Sequence, residues 1–222
     1  HWYPSERMVG ALLTANGVLE YIAPHFEIST LEGFMQVEGP VNGWQEHESP
    51  YELLHQLFNK HGVKTVGLDE SLPFFMFDSL RQINPDTTFH NGQLVSQYCR
   101  SRKSKQEIAL LQAAKSMTLQ VHQAAARILY NGITTQEVTE FINRAHQAVG
   151  AAKGSYFCIV LFGEDTAYPH GVKNPKTLAH NDMVLIDTGC EVERYISDIT
   201  RSYVFGTPSA RQKEIWQTEK TA

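Results

Sequence analysis

Two apolar runs near the start, residues 8–13 and 18–22, flank Thr14-Ala15-Asn16-Gly17. Asn-Gly between apolar segments predicts a β-hairpin, because both residues accept positive φ. Residues 24–43 are punctuated by glycine, carry no period and are expected to be irregular. From Ser49 the period changes. Ser49-Pro50-Tyr51-Glu52 offers a cap, a proline in the first helical position and a glutamate at the capping-box position. Leu53, Leu54, Leu57 and Phe58 then share one face of a helix that His61-Gly62 should end. Residues 63–68 read as a buried strand, 72–83 as a second helix and 87–89 as a short strand. Strands alternating with helices make a small α/β layer.

Arg100-Ser101-Arg102-Lys103-Ser104-Lys105 precedes the longest periodic segment and reads as a solvated helix entrance rather than a phosphate patch. Ser104 and Glu107 have capping-box spacing. Leu110, Ala114, Met117, Val121, Ala125 and Ile128 then fall on one helical face, which makes Met117 a core residue. Asn131-Gly132 should close that helix. Thr134 and Glu137 open the next, whose apolar face is Val138, Phe141, Ile142, Ala145 and Val149. Residues 156–162 are strand-like, and residues 183–203 hold two further strand-like runs. After Pro208, Ser209 and Gln212 again have capping spacing, so residues 209–222 read as the start of a helix carrying Glu214 and Glu219. A domain boundary is expected near residue 102, giving domains 1–102 and 103–222.

The chemistry is concentrated in residues 183–203. Asp187 ends a continuously apolar run and precedes Thr188-Gly189; Asp198, eleven positions on, sits in a run rich in Ile, Thr, Tyr and Val. Their positions centre a tight hairpin between Val192 and Glu193, which would set the two carboxylates across from each other on paired strands. Like charges about 4 Å apart repel by roughly 4 kcal/mol at an effective dielectric near 20. Such a pair persists if the two share a proton or if a cation sits between them, and a divalent metal suits carboxylate oxygens. The plainer alternatives are a turn aspartate before glycine and a solvent-facing position inside a strand.

The stretch LIDTGCEVERYISDITRSY resembles the first metal-binding hairpin of the pita-bread metallopeptidases, the group of prolidase (Xaa-Pro dipeptidase), aminopeptidase P and methionine aminopeptidase. In that pattern an Asp precedes a small residue and Gly, and a second Asp follows eleven positions later, ahead of an aliphatic residue, Thr and Arg. Here these are Asp187, Thr188, Gly189, Asp198, Ile199, Thr200 and Arg201. Upstream, Tyr168-Pro169-His170-Gly171 resembles the segment that carries the family's catalytic histidine. The resemblance implies that Asp187 and Asp198 bind metal. It implies that His170 donates a hydrogen bond to the scissile-side carbonyl or gem-diolate, and that Thr200 and Arg201 support the ligands, Thr200 by orienting Asp198. His25, His47, His55, His61, His90, His122, His146 and His180 lack ligand spacing and are assigned no role. Relatives commonly turn this hairpin with Asn-Gly. Glu193-Arg194 suits positive φ poorly, so a wider loop or bulge is expected.

The same resemblance implies the fold class: α/β, with a creatinase-like N-terminal α/β domain followed by the first half of a pita-bread α+β catalytic domain. Such enzymes hold two divalent ions, Mn²⁺ ahead of Co²⁺ or Zn²⁺, with two Asp, then a His and two Glu, and only the aspartates are matched here. The chain opens at His1 and has twenty-four residues after Asp198, without a histidine among them. It is therefore expected to be a central piece of a longer enzyme, silent alone because two carboxylates make a weak site. For the whole enzyme the implied substrates are short peptides with proline at the second position, and the implied assembly is a homodimer. Methionine aminopeptidase is disfavoured because those enzymes generally lack a large creatinase-like domain. Two other classes are a creatinase-type hydrolase without metal, against which both aspartates argue, and a non-catalytic protein-binding relative. His1-Trp2-Tyr3-Pro4 reads as an ordinary exposed loop.

An apolar content of 42% with 10% aromatic residues supports a buried core and excludes a disordered chain. A net charge of −5 gives no support for a nucleic-acid partner, and no apolar run of spanning length suggests a membrane. Cys99, Cys158 and Cys190 are odd in number and without ligand spacing, which predicts free thiols in a reducing compartment, the cytoplasm.

Overall fold

The computed structural model describes residues 7–221, so the loop expected at His1–Pro4 lies outside the described residues. The chain divides into two compact units, residues 1–102 and 103–222.

In the N-terminal unit, β1 (Gly10–Leu13) and β2 (Leu19–Pro24) form the expected hairpin, with Gly17 at φ 87° in the turn. A third strand, β3 (Val41–Trp44), lies parallel to β2. A separate parallel pair is made by β4 (Thr65–Leu68) and β5 (Thr88–Asn91). The helices are α1 (Ile28–Phe34), α2 (Pro50–Lys60), α3 (Phe74–Ile83) and α4 (Gln93–Ser101). Helix α2 starts where its cap predicts, with the Ser49 hydroxyl accepting from the Glu52 N–H. It buries Leu54, Leu57 and Phe58 with Ile22 and Leu80.

Four elements differ from expectation. Helix α1 and strand β3 occupy the stretch expected to be irregular, and α4 has no counterpart in the sequence pattern. The stretch 63–68 is not a buried strand: β4 begins at Thr65, with Thr65 and Gly67 exposed and only Val66 and Leu68 packed on the core. One polar lock ties this unit together. The buried carboxylate of Glu20 on β2 accepts from Lys60 Nζ at 2.6 Å and from Asn42 Nδ2 at 2.8 Å, and lies 2.5 Å from His61 Nε2.

The C-terminal unit begins with two long helices, α5 (Lys105–Arg127) and α6 (Thr135–Ala148). Each opens with a complete capping box, Ser104 with Glu107 and Thr134 with Glu137, which satisfies backbone N–H groups otherwise left bare at a helix start. The sheet is β6 (Ser155–Phe162), β7 (Met183–Val192), β8 (Tyr195–Ile196) and β9 (Ile199–Val204). Strand β7 is central, antiparallel to β6 on one side and to β8 and β9 on the other. Helix α5 packs over β7 and α6 over β6. Val121, Ala125, Val138, Ile142, Val160, Phe162, Val184 and Ile186 form the core between these layers. The irregular connection from β6 to β7 is pinned at buried Leu178, whose N–H donates to the Ile133 carbonyl and whose carbonyl accepts from Gly132. Helix α7 (Ala210–Thr221) starts at the anticipated Ser209–Gln212 pair. Among the described residues no helix is long and apolar enough to cross a membrane.

Candidate metal centre on the central hairpin

Strand β7 alternates. Val184, Ile186, Thr188 and Cys190 are buried toward the helices, and the row between them, Leu185 and Asp187, is only half-buried. The alternation fixes which face each partner on β9 takes. Thr200 pairs with Asp187 and Ser202 with Leu185, both exposed, while Tyr203 pairs with Val184 on the core side.

This register corrects the expected one. Val192 pairs with Tyr195, so the turn residues are Glu193 and Arg194, at φ 47° and 70°. The expected wider loop is absent. The chain makes a two-residue turn of the kind that needs two left-handed residues, and two long side chains accept that conformation. Asp187 consequently faces Thr200, not Asp198. Asp198 is two positions nearer the tip, diagonal to Asp187. The register is the same on both sides of it although Ser197 and Asp198 make no ladder pair themselves, and the two-residue period of a strand puts the two aspartates on one face of the ribbon.

Their surroundings differ. Asp198 is exposed and lies in the gap between β8 and β9. Asp187 is half-buried, and its Oδ1 is sealed from solvent with no hydrogen-bond partner. A buried carboxylate oxygen without a donor is costly, on the order of 1–3 kcal/mol, and a cation is one partner that would satisfy it, as a proton or a hydrogen-bond donor also would. Thr200 neighbours Asp187 in register, not Asp198. Arg201 points its Nη1 at the Thr200 carbonyl, 2.8 Å away. His170 is exposed in a turn closed by the Gly171 N–H and the Tyr168 carbonyl, just after a 3-10 segment that packs on β7. Among the described residues no hydrogen bond or ion pair joins His170 to either aspartate, and no group of three or more His, Cys, Asp or Glu is placed to hold a metal.

Behind the hairpin the structure shows polar residues that sequence reasoning passed over. His122 on α5 donates from Nε2 to the Ile199 carbonyl at 2.8 Å, leaving Nδ1 buried without a partner. Burial pushes its pKa down; the Ile199 carbonyl opposes this, Arg201 adds to it, and Asp187 opposes it more weakly. His146 on α6 is fully buried, and burial, helped by the charge of His122, pushes it down to about 4. Its ring joins Thr118 and Ser155, and Thr118 joins Ser197. Burial also lifts the Cys158 thiol and pushes the Tyr203 hydroxyl up to about 12. A signal for this layer was present: Thr118 and His122 sit four apart beside Val121 and Ala125, polar residues inside an apolar stripe.

The family model for metallopeptidase family M24 matches residues 109–222, just over half of the chain. The chain belongs to metallopeptidase family M24. The model of the creatinase/prolidase N-terminal domain matches residues 3–101. Among curated proteins, an uncharacterized peptidase of Staphylococcus aureus is 28% identical over 213 residues, covering 96% of this chain and 59% of that relative. Among solved structures, prolidase from Thermococcus sibiricus superposes with a TM-score of 0.83 at 26% identity, over 97% of this chain and 59% of that one. Dipeptidase PepE from Mycobacterium ulcerans gives 0.88 at 25% identity, over 97% and 58%. The chain thus spans about three-fifths of the length of the relatives it matches. M24 membership and these structures show the pita-bread and creatinase-like architecture that the resemblance implied, and the family is one that uses divalent metal. The M24 hairpin suits such an ion: hard carboxylate oxygens on one face, one of them buried and partnerless.

Proposed function

We propose that the protein carrying this chain hydrolyses the peptide bond before proline in short peptides, with Asp187 and Asp198 as two ligands of a divalent-metal centre. The observation that carries this reading is the buried, donor-less Oδ1 of Asp187 on the face it shares with Asp198, in a chain of M24 sequence. Prolidase and dipeptidase relatives at about a quarter identity support the substrate class. The bond before proline is a tertiary amide with restricted geometry, which general peptidases handle badly and a dedicated site can exploit. Oxygen-rich ligation favours Mn²⁺, with Co²⁺ or Zn²⁺ as alternatives. When bound, such an ion activates water and takes up negative charge that develops on the carbonyl oxygen.

The chain's own residues have separable tasks on this reading. Asp187 supplies a fixed, half-buried oxygen and Asp198 a solvent-reachable one. His170, exposed on its loop, donates a hydrogen bond to the substrate carbonyl, a role suited to imidazole near neutral pH. Thr200 and Arg201 support the strand on which Asp198 is carried. We place this activity in a homodimer, with the further ligands outside residues 1–222, and residues 1–222 alone give no turnover.

Titration with Mn²⁺, followed by water-proton relaxation, tests the ligand assignment. The 222-residue chain should bind weakly, with Kd on the order of 0.1–1 mM. Asp187→Asn and Asp198→Asn should each weaken that binding about tenfold, a loss of ~1.4 kcal/mol. Unchanged affinity in both variants removes the metal centre. Proline release from an Xaa-Pro dipeptide by the 222-residue chain would overturn its silence.

A further inference from the structure

We infer that Ser197, held through Thr118 and His146, is the positioning residue that lifts Asp198 out of the β-ladder and sets it toward the metal face. This deepens the reading of Asp198 as a ligand and rests on it.

The register on either side of the gap is the same, Glu191 with Ile196 and Thr188 with Ile199, so Cys190 faces Ser197 and Gly189 faces Asp198. In a regular antiparallel pair the Cys190 N–H and the Ser197 carbonyl would bond, along with the reverse bond. Only the reverse bond is made, Ser197 N–H to the Cys190 carbonyl at 2.9 Å. The Cys190 N–H donates instead to Ser197 Oγ, also at 2.9 Å. The hydroxyl has replaced its own residue's carbonyl as the acceptor. The released carbonyl folds over Gly189, where it occupies the space that any Cβ at that position would need. A glycine is required there, and the ladder lapses at Ser197 and Asp198.

The exchange needs the Ser197 hydroxyl held still. Its Oγ lies 2.8 Å from Thr118 Oγ1 on α5. Thr118 Oγ1 lies 3.1 Å from His146 Nε2, and His146 Nδ1 lies 2.9 Å from Ser155 Oγ on β6. The donors close in either direction: from the Ser197 hydroxyl through Thr118 and His146 to Ser155, or from the Ser155 hydroxyl back through His146 and Thr118 to Ser197, whose own hydroxyl then donates to the Cys190 carbonyl at 3.2 Å. Every member is buried or nearly so, and the Ser155 N–H is in turn accepted by Asn143 Oδ1 at 2.9 Å. On the β6 side, Tyr156 is an extra residue between the partners of Cys190 and Gly189, so both neighbours of β7 are irregular at this level. The network thus spans α5, α6 and the strands on both sides of β7, and its end point is the residue next to Asp198.

Two positions test this in the 222-residue chain without metal, by hydrogen exchange and NMR. Ser197→Ala should cut the protection of the Cys190 amide at least tenfold or return that amide to the backbone carbonyl of position 197, with changed shifts at residues 197–199. Thr118→Val keeps the volume and removes the hydroxyl, and should move the same signals; Thr118→Ser should restore them. In a parallel Mn²⁺ titration Thr118→Val should weaken binding about fivefold and Thr118→Ser should recover the parent value. Parent-like shifts at residues 197–199 in Thr118→Val, or parent-like Mn²⁺ affinity in a folded Thr118→Val chain that has lost them, overturns the positioning role. A parent chain whose Mn²⁺ affinity ignores Asp198→Asn overturns the metal reading instead, and the metal-free signals still decide whether Ser197 sets the kink.

Discussion

Glu20 on β2 and Asp187 on β7 are both carboxylates withdrawn from water, one in each unit. Glu20, with its side chain 3% exposed, receives Lys60, His61 and Asn42. Its pKa is held at about 2, chiefly by the Lys60 hydrogen bond, against burial and with help from His61 and Asn42. Asp187 has one oxygen sealed from solvent with no donor offered to it. The N-terminal unit answers its buried charge from its own sequence. The C-terminal unit leaves one oxygen unanswered among the described residues, which is the contrast that the proposed ligand role of Asp187 rests on.

The largest effect expected from breaking this contrast is at Glu20. Glu20→Gln removes the charge that Lys60 and His61 face and should cost the N-terminal unit about 2–3 kcal/mol, read by urea unfolding through buried Trp44. The same lock gives a pH signature. A folded pKa depressed from 4.5 to about 2 contributes stability that is complete above 4.5 and is lost as pH falls toward 2. An N-terminal transition insensitive to pH across that window would mean the lock carries no weight. Next in size is Lys60→Met, about 1–2 kcal/mol: it removes the strongest support of the buried Glu20 charge, while His61 and Asn42 remain and Lys60 itself is 58% exposed. Smallest, metal-free Asp187→Asn should be neutral or stabilising, by up to about 1 kcal/mol. A loss comparable to that of Glu20→Gln would show that Asp187 has a partner in the fold and end the contrast.

The elements most legible in the sequence are those whose ends are marked by side chains. Ser49, Ser104, Thr134 and Ser209 each place a helix start, since a hydroxyl three residues before a partner leaves a local trace. Helices α1 and α4 lack that trace. Neither has a side-chain cap, α1 buries only Leu31, and α4 turns Leu94, Val95 and Tyr98 to solvent. Both candidate ligands could be named from spacing and family likeness, and their shared face follows from the even period of a strand. The register could not be read, because it depends on Glu193 and Arg194 taking left-handed conformations that their side chains disfavour. The joining of Thr118, His146 and Ser197 could not be read either: the polar Thr118 and His122 mark the apolar stripe of α5, but their partners come from distant stretches and meet them only in the fold.

The two-residue tip at Glu193 and Arg194 makes the ribbon a device that counts. Strand β9 takes its facing from the number of residues in that tip, so a side chain altered there without a change of φ leaves the register in place. A single residue added or removed would instead rotate the whole arm by half a pleat, sending Thr200 and Asp198 against α5 and turning Tyr203 out to water. Length at this corner is under tighter constraint than chemistry.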